Sequence, residues 1–76
     1  MATAYVLLNS DLGQESQVQS SLKEIAEVQE VYGVYGVYDF IVKIEMETMD
    51  ELKDIITNKV RRIRNIRSSL TMIVVE

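Results

Sequence analysis

Residues 40–56, FIVKIEMETMDELKDII, contain the clearest change of pattern in the chain. From position 40 to position 46 every second residue is apolar and the intervening positions include Lys43 and Glu45, a period of two that is typical of a β-strand with one buried face. In the following TMDE, Thr48 can cap the first turn of a helix while Glu51 reaches back. The stretch therefore predicts a strand over 38–47 that leads directly into a capped helix.

The segments on either side of this stretch predict three more strands and one more helix. AYVLLN at 4–9 and IRSSLTMIVV at 66–75 are strand-like, as are residues 28–35. Residues 14–27 carry an apolar face with helical spacing. The apolar positions of the two helices are Val18, Leu22, Ile25 and Ala26 in the first, and Leu52, Ile55, Ile56, Val60 and Ile63 in the second.

The order of elements is β-α-β-β-α-β, which predicts a single α+β domain over residues 1–76 with a four-stranded antiparallel sheet. Right-handed crossovers place both helices on the same side of such a sheet. Two helices cover only one face, so the other face stays open. A chain of 76 residues buries only about 60% of its extended surface, and association of subunits is a usual source of further stability for so small a core.

The open face of the predicted sheet is apolar. If Phe40, Val42 and Ile44 lie under the helices, the other parity of the strands faces outward and forms an association site. The opposite assignment of faces also leaves an apolar open face. We therefore predict a homodimer with sheet packed on sheet, and its interface residues are Tyr5, Leu7, Ile41, Ile73 and Val75, alongside Lys43 and Thr71.

The composition argues against catalysis and against metal or cofactor binding. The chain contains no histidine and no cysteine, which removes the common nucleophile–base pairs and the usual zinc ligands. The N-terminal apolar run, residues 4–8, is too short for a signal segment or a membrane span. We therefore expect a cytoplasmic protein that is not an enzyme, has no cofactor and makes no contact with membranes.

The charge is unevenly distributed along the chain. The net charge is −4, yet residues 58–76 hold five basic residues against Glu76 alone. Such a segment suggests contact with nucleic acid. The alternative, which we favour, is a solvated helix end where cations complement the carbonyl end of the helix dipole.

The stretch VYGVYGVYD, residues 31–39, repeats with period three, which does not match the period of a strand. The three tyrosines therefore cannot form one aromatic platform for single-stranded nucleic acid. Gly36 and Val37 are the most economical place for the turn between the second and third strands. Asp39 has two possible roles: a local hydrogen bond to neighbouring amides, or an acceptor for an ammonium group beside exposed backbone donors.

Several of these segments together resemble the effector-binding domain of the Lrp/AsnC family of feast/famine regulators, often called the RAM domain. GVYD followed by FIVKIE resembles the family's Gly-x-Tyr-Asp motif and next strand, and AYVLLN, EIAEVQEVYGVYG and IRSSLTMIVVE resemble the segments around it. The resemblance covers essentially the whole chain. It implies a ferredoxin-like fold, dimers joined through their sheets, rings such as a tetramer of dimers, and amino-acid effectors bound between dimers.

Transferred by position, the resemblance assigns Gly36, Tyr38 and Asp39 to the effector loop between the second and third strands. It assigns Ser68, Ser69 and Thr71 to the hydroxyl-bearing start of the last strand. Tyr32, Tyr35 and Arg67 are secondary candidates.

Family regulators also carry an N-terminal helix-turn-helix domain, for which the first strand, starting at residue 4, leaves no room. We therefore expect a stand-alone amino-acid-sensing and oligomerisation module that does not bind DNA directly. When effector binds, it changes its assembly or its contact with DNA-binding paralogues. Two other classes remain open: a small enzyme of the dimeric α/β-barrel type, and an ACT-like or purely structural oligomerisation domain.

Overall fold

The computed structural model describes residues 1–75 and has the predicted βαββαβ order. This arrangement is a ferredoxin-like α+β fold. The bounds are β1 Ala2–Ser10, α1 Glu15–Lys23, β2 Val28–Gly33, β3 Phe40–Met46, α2 Met49–Ile55 with a π-helical turn Ile56–Val60, and β4 Ile66–Ile73.

The four strands form one antiparallel sheet in the order β2-β3-β1-β4. Strand β1 is central, pairing with β3 through Leu8–Phe40 and with β4 through Leu8–Ser69. The register shifts between Asn9 and Ser10 at the end of β1, and again between Val28 and Glu30 in β2. The last residue of β1 and the first residues of β3 and β4 therefore lie at the same end of the sheet as the β2–β3 loop.

The hydrophobic core lies between the helices and one face of the sheet. Alternate residues of β1 and β3 point into it, as the period of two predicts. The fully or nearly fully buried apolar residues are Ala4, Val6, Leu8, Val18, Leu22, Phe40, Val42, Ile44, Leu52, Ile55, Ile56 and Val60. Of the two assignments of the sheet faces that the sequence left open, the structure has the one with Phe40, Val42 and Ile44 under the helices.

Helix α1 is shorter than the spacing of its apolar residues predicted. It ends at Lys23. The amide of Ile25 then donates to the carbonyl of Leu22 at 3.2 Å, which closes a turn of three residues in place of the four of an α-helix. Ile25 nevertheless packs against the core. Its apolar character reflects this packing and not continuation of the helix, which is why the spacing placed the helix end too late.

The side chains of the last strand point to the opposite faces of the sheet from those predicted. Ile73 pairs with buried Ala4 and Thr71 pairs with buried Val6, so both side chains lie on the helix side of the sheet. Val75 lies beyond the end of β4 and is 93% exposed. The placement of Ile73, Thr71 and Val75 on the open face was therefore wrong, because both parities of this strand carry apolar residues and only the register with β1 distinguishes them.

The turn between α2 and β4 uses an asparagine in the left-handed conformation. Asn65 has φ 70°, which asparagine tolerates better than most residues. Its side-chain amide donates to Gln17 at 2.9 Å and its carbonyl accepts from the Asp11 amide at 2.7 Å. The turn is therefore tied to both α1 and the end of β1. Within residues 1–75, no helix is long and apolar enough to cross a bilayer.

The predicted cap of α2 is present. The Thr48 hydroxyl accepts from the Glu51 amide at 3.1 Å and donates to the Glu51 carboxylate at 2.9 Å. We expect Thr48→Ala to lower the free energy of unfolding by about 1 kcal/mol, because one amide of the first turn loses its acceptor. Urea unfolding at fixed protein concentration measures this difference. Thr48→Ser keeps the hydroxyl and should stay near the wild type, and equal losses in the two variants would contradict the capping role.

Candidate functional site

Residues 34–39 form the loop between β2 and β3, longer than the two-residue turn expected at Gly36 and Val37. The Val34 amide donates to the Asp39 carbonyl at 2.9 Å and closes the loop. Gly36 has φ 132°, a region that residues with a side chain rarely adopt. A Cβ at this position would meet nothing within 4 Å, so the backbone angle, and not space, is what requires glycine.

Strand β1 fixes the position of Asp39. Its amide donates to the Leu8 carbonyl at 2.9 Å, and its Oδ2 accepts from the Ser10 amide at 3.0 Å and the Ser10 hydroxyl at 3.2 Å. Ser10 is 3% exposed. The predicted local hydrogen bond to neighbouring amides was therefore wrong, since the partner lies on another strand. Oδ1 receives no hydrogen bond from any residue in 1–75.

A groove of about 510 Å³ lies between this loop and the first half of α1. The wall contributed by α1 is polar, and the opposite wall combines the Asp39 carboxylate with apolar groups. The lining residues are Glu15, Ser16, Gln19, Gly33, Val34, Tyr35, Asp39 and Phe40. The groove thus offers a half-buried carboxylate for a cation, hydroxyl and amide donors for an anion, and an apolar surface between them.

The predicted loop residues lie together, whereas the hydroxyl residues of β4 do not join them within one chain. Asp39 lines the groove, and Gly36 and Tyr38 belong to its loop without lining it. Strand β1 separates β3 from β4. On β4, Ser68 accepts from the Asn9 side chain at 3.1 Å, while Ser69 and Thr71 lie on the helix side.

Sequence reasoning missed the contributions of Ser10 and α1. Glu15, Ser16 and Gln19 reach the groove only because Val18 and Leu22 anchor α1 in the core against the sheet, and no local pattern marks them. Among the secondary candidates, Tyr35 lines the groove. Tyr32 donates to the Glu30 carboxylate at 2.6 Å, a hydrogen bond that raises the pKa of its phenol.

A second depression, of about 410 Å³, is lined mainly by acidic residues, which belong to α2 and to the segment just before β2. One of them, Glu27, pairs with Lys59 at 3.0 Å, and this hydrogen bond lowers the pKa of the Glu27 carboxyl. Among the residues described, no cluster of carboxylates has the grouping of a metal site. The remaining lining residues are Met46, Asp50, Glu51, Asp54 and Ile55.

The open face of the sheet is crossed by two rows of paired side chains. One row consists of Tyr32, Ile41, Leu7 and Leu70, and the next consists of Glu30, Lys43, Tyr5 and Met72. Leu70 and Met72 are 45% and 46% exposed. Tyr5, Leu7 and Ile41 therefore lie on the open face as predicted, and Tyr32, Leu70 and Met72 take the places expected for Ile73 and Val75.

The fold and the groove define a small α+β ligand-binding domain with an uncovered apolar sheet face. The family model described as "Lrp/AsnC ligand binding domain" matches residues 3–76. The chain therefore belongs to this family, whose members are regulatory ligand-binding domains and not enzymes. The resemblance read from the sequence is confirmed.

Solved structures agree with this assignment. The chain is similar to FFRP-DM1, with 41% identity, a TM-score of 0.91 and coverage of 99% of this chain and 100% of that one. A hypothetical protein from Pyrococcus horikoshii gives 41% identity, a TM-score of 0.90 and coverage of 100% and 92%. A feast or famine regulatory protein from M. tuberculosis, complexed with L-methionine, shares the fold with 22% identity and a TM-score of 0.81, and covers 100% of this chain and 51% of that one. No match was found among curated proteins.

Proposed function

We propose that this chain is a sensor of an α-amino acid, which binds in the groove beside the β2–β3 loop and alters the assembly of the protein. The observation that carries the proposal is the Asp39 carboxylate, which Ser10 holds through Oδ2 at the edge of the groove. Family membership supports a ligand-binding role. The L-methionine bound to the M. tuberculosis regulator shows that an amino acid is a suitable ligand for a related protein.

In the proposed complex the ammonium group of the ligand contacts Asp39 Oδ1. The hydroxyl of Ser16 and the side-chain amide of Gln19 line the facing wall and supply donors for the ligand carboxylate. Val34 and Phe40 provide apolar surface for a ligand side chain. Gly36 allows the loop conformation that brings Asp39 to the groove.

The open sheet face is the proposed dimer interface. Its central residues, Leu7, Ile41 and Leu70, form an apolar row that water would otherwise cover. Ligand binding near the edge of this sheet stabilises whichever assembly binds the ligand more tightly, in proportion to the difference in affinity. Further association into rings and contact with DNA-binding regulators of the same family would transmit that change to transcription.

The proposal is tested by a thermal-shift screen of the purified protein against the twenty amino acids. A ligand at about 100 times its dissociation constant adds about 2.7 kcal/mol of stability and raises the melting temperature by several degrees. We expect one or a few amino acids to do so. A flat response to all twenty would contradict the sensing role.

Asp39→Asn provides the site-specific arm of the same screen. Asparagine keeps the size of the side chain and can accept from Ser10 through its carbonyl oxygen, so the fold is retained while the charge is lost. We expect the ligand-induced shift to disappear. Asp50→Asn removes a carboxylate on α2, away from the groove, and should keep the shift. If Asp39→Asn also keeps it, the ligand binds elsewhere.

A further inference from the structure

Strand β4 forms one edge of the sheet, and its outer side is bonded to no described residue. It pairs only with β1 in the order β2-β3-β1-β4. Its eight residues, Ile66–Ile73, make it the longer of the two edge strands, since β2 has six. An uncovered edge presents a row of backbone donors and acceptors to any strand that can approach it.

The register identifies the backbone groups that point outward. The Val74 amide donates to the Thr3 carbonyl at 2.9 Å, so this pair bonds to β1. Bonded and non-bonded pairs alternate along an antiparallel ladder. Ser69, Thr71 and Ile73 are therefore the residues whose amides and carbonyls face away from β1.

Arg67 and a shift of register lie at the start of β4, but from Ser68 onward the strand lacks the devices that normally protect an edge. Residues 68–75, SSLTMIVV, contain no charge, no proline and no glycine. At the other edge, β2 carries Glu30 and a shift of register, and it ends at Gly33. Charges, irregular register and short length all oppose strand addition, so the two edges differ in their capacity to accept another strand.

We propose that β4 pairs antiparallel with β4 of a second copy, about a two-fold axis at Thr71. In this register Thr71 exchanges both backbone bonds with its counterpart, and Ser69 pairs with Ile73 of the other copy. The pairing uses the three outward residues and is self-complementary, as a two-fold contact requires. It leaves no charged residue inside the paired segment.

The side chains support the same register. On the open face, Leu70 of each copy lies opposite Met72 of the other, which covers two apolar groups that are 45% and 46% exposed. On the helix side two threonines meet, a favourable cross-strand pair. The result is a continuous eight-stranded sheet, whose open faces remain available for the sheet-to-sheet contact. The β4–β4 contact is separate from the sheet-to-sheet contact and needs no ligand.

Thr71→Cys tests the axis directly, because the chain has no cysteine of its own. Bonded antiparallel partners have Cα atoms about 5.5 Å apart, within the range that a disulfide spans. Ser68→Cys is the matched control, since its two copies would lie about 20 Å apart at about 3.4 Å per residue. Under the same mild oxidation we expect about tenfold more cross-linked dimer from Thr71→Cys. Equal cross-linking of the two variants, or none, would overturn the proposal.

Thr71→Pro provides a second test through the mass of the assembly. Proline removes an outward amide and spares the ladder to β1, the condition under which edge strands accept it. Sedimentation velocity should show a folded species of at most half the wild-type mass. An unchanged mass would exclude the edge contact. A third outcome is that Thr71→Pro lowers the mass while Thr71→Cys forms no cross-link. In that case another strand, such as β2 of a second copy, pairs with this edge, and the β4 pairing is contradicted.

Discussion

Leu8→Ala is expected to lower the free energy of unfolding by about 2–5 kcal/mol, the usual cost of removing a fully buried leucine side chain. Leu8 is completely buried on the central strand β1, where it pairs with Phe40 on one side and Ser69 on the other. Since β1 is held on both sides, its backbone has little freedom to close the cavity. The total free energy of unfolding of a domain of 76 residues is about 4–11 kcal/mol, so the variant would be close to unfolding.

Leu12→Ala is the matched control for this substitution. Leu12 lies in the turn just after β1 and is 93% exposed, so the same deletion there should cost almost nothing. Urea unfolding followed by circular dichroism, at one protein concentration, compares the midpoints and slopes. A Leu8→Ala midpoint within error of the Leu12→Ala midpoint would show that the core is not organised around β1.

The second large effect is expected on association. Leu7 lies in the middle of the apolar row on the open face, between Ile41 and Leu70. In the proposed sheet-to-sheet dimer, Leu7→Lys places a lysine from each copy in the interface, which costs several kcal/mol. The dimer dissociation constant should therefore rise by about 100-fold or more.

Sedimentation velocity over a range of concentrations measures this change. Thr57→Lys adds the same charge at an exposed position in the π-helical turn and should leave the mass unchanged. We also expect Leu7→Lys to unfold at a lower urea concentration, because so small a core gains stability from its partner. A Leu7→Lys protein with wild-type mass would show that the open face is not the interface.

The candidate site was only partly accessible to sequence reasoning. The GVYD segment identified the loop and Asp39, because glycine, tyrosine and aspartate in that order form a recognisable local motif. Ser10 could not be found in this way, since it meets Asp39 only across 29 residues of chain. The groove residues of α1 were equally hidden, because their position depends on the packing of the helix against the sheet.

The amino-acid sequence by itself determined the number and order of the elements, the cap of α2 and the sets of alternate residues in β1 and β3 that share a face of the sheet. These features follow from spacing along the chain, since a period of two or 3.6 residues sets which side chains share a face. The tertiary structure alone decided that Ile73 lies over the core and Leu70 on the open face, where α1 ends, and which group holds Asp39. These depend on register and packing between segments distant in sequence, and a shift of one residue in register exchanges the two faces of a strand.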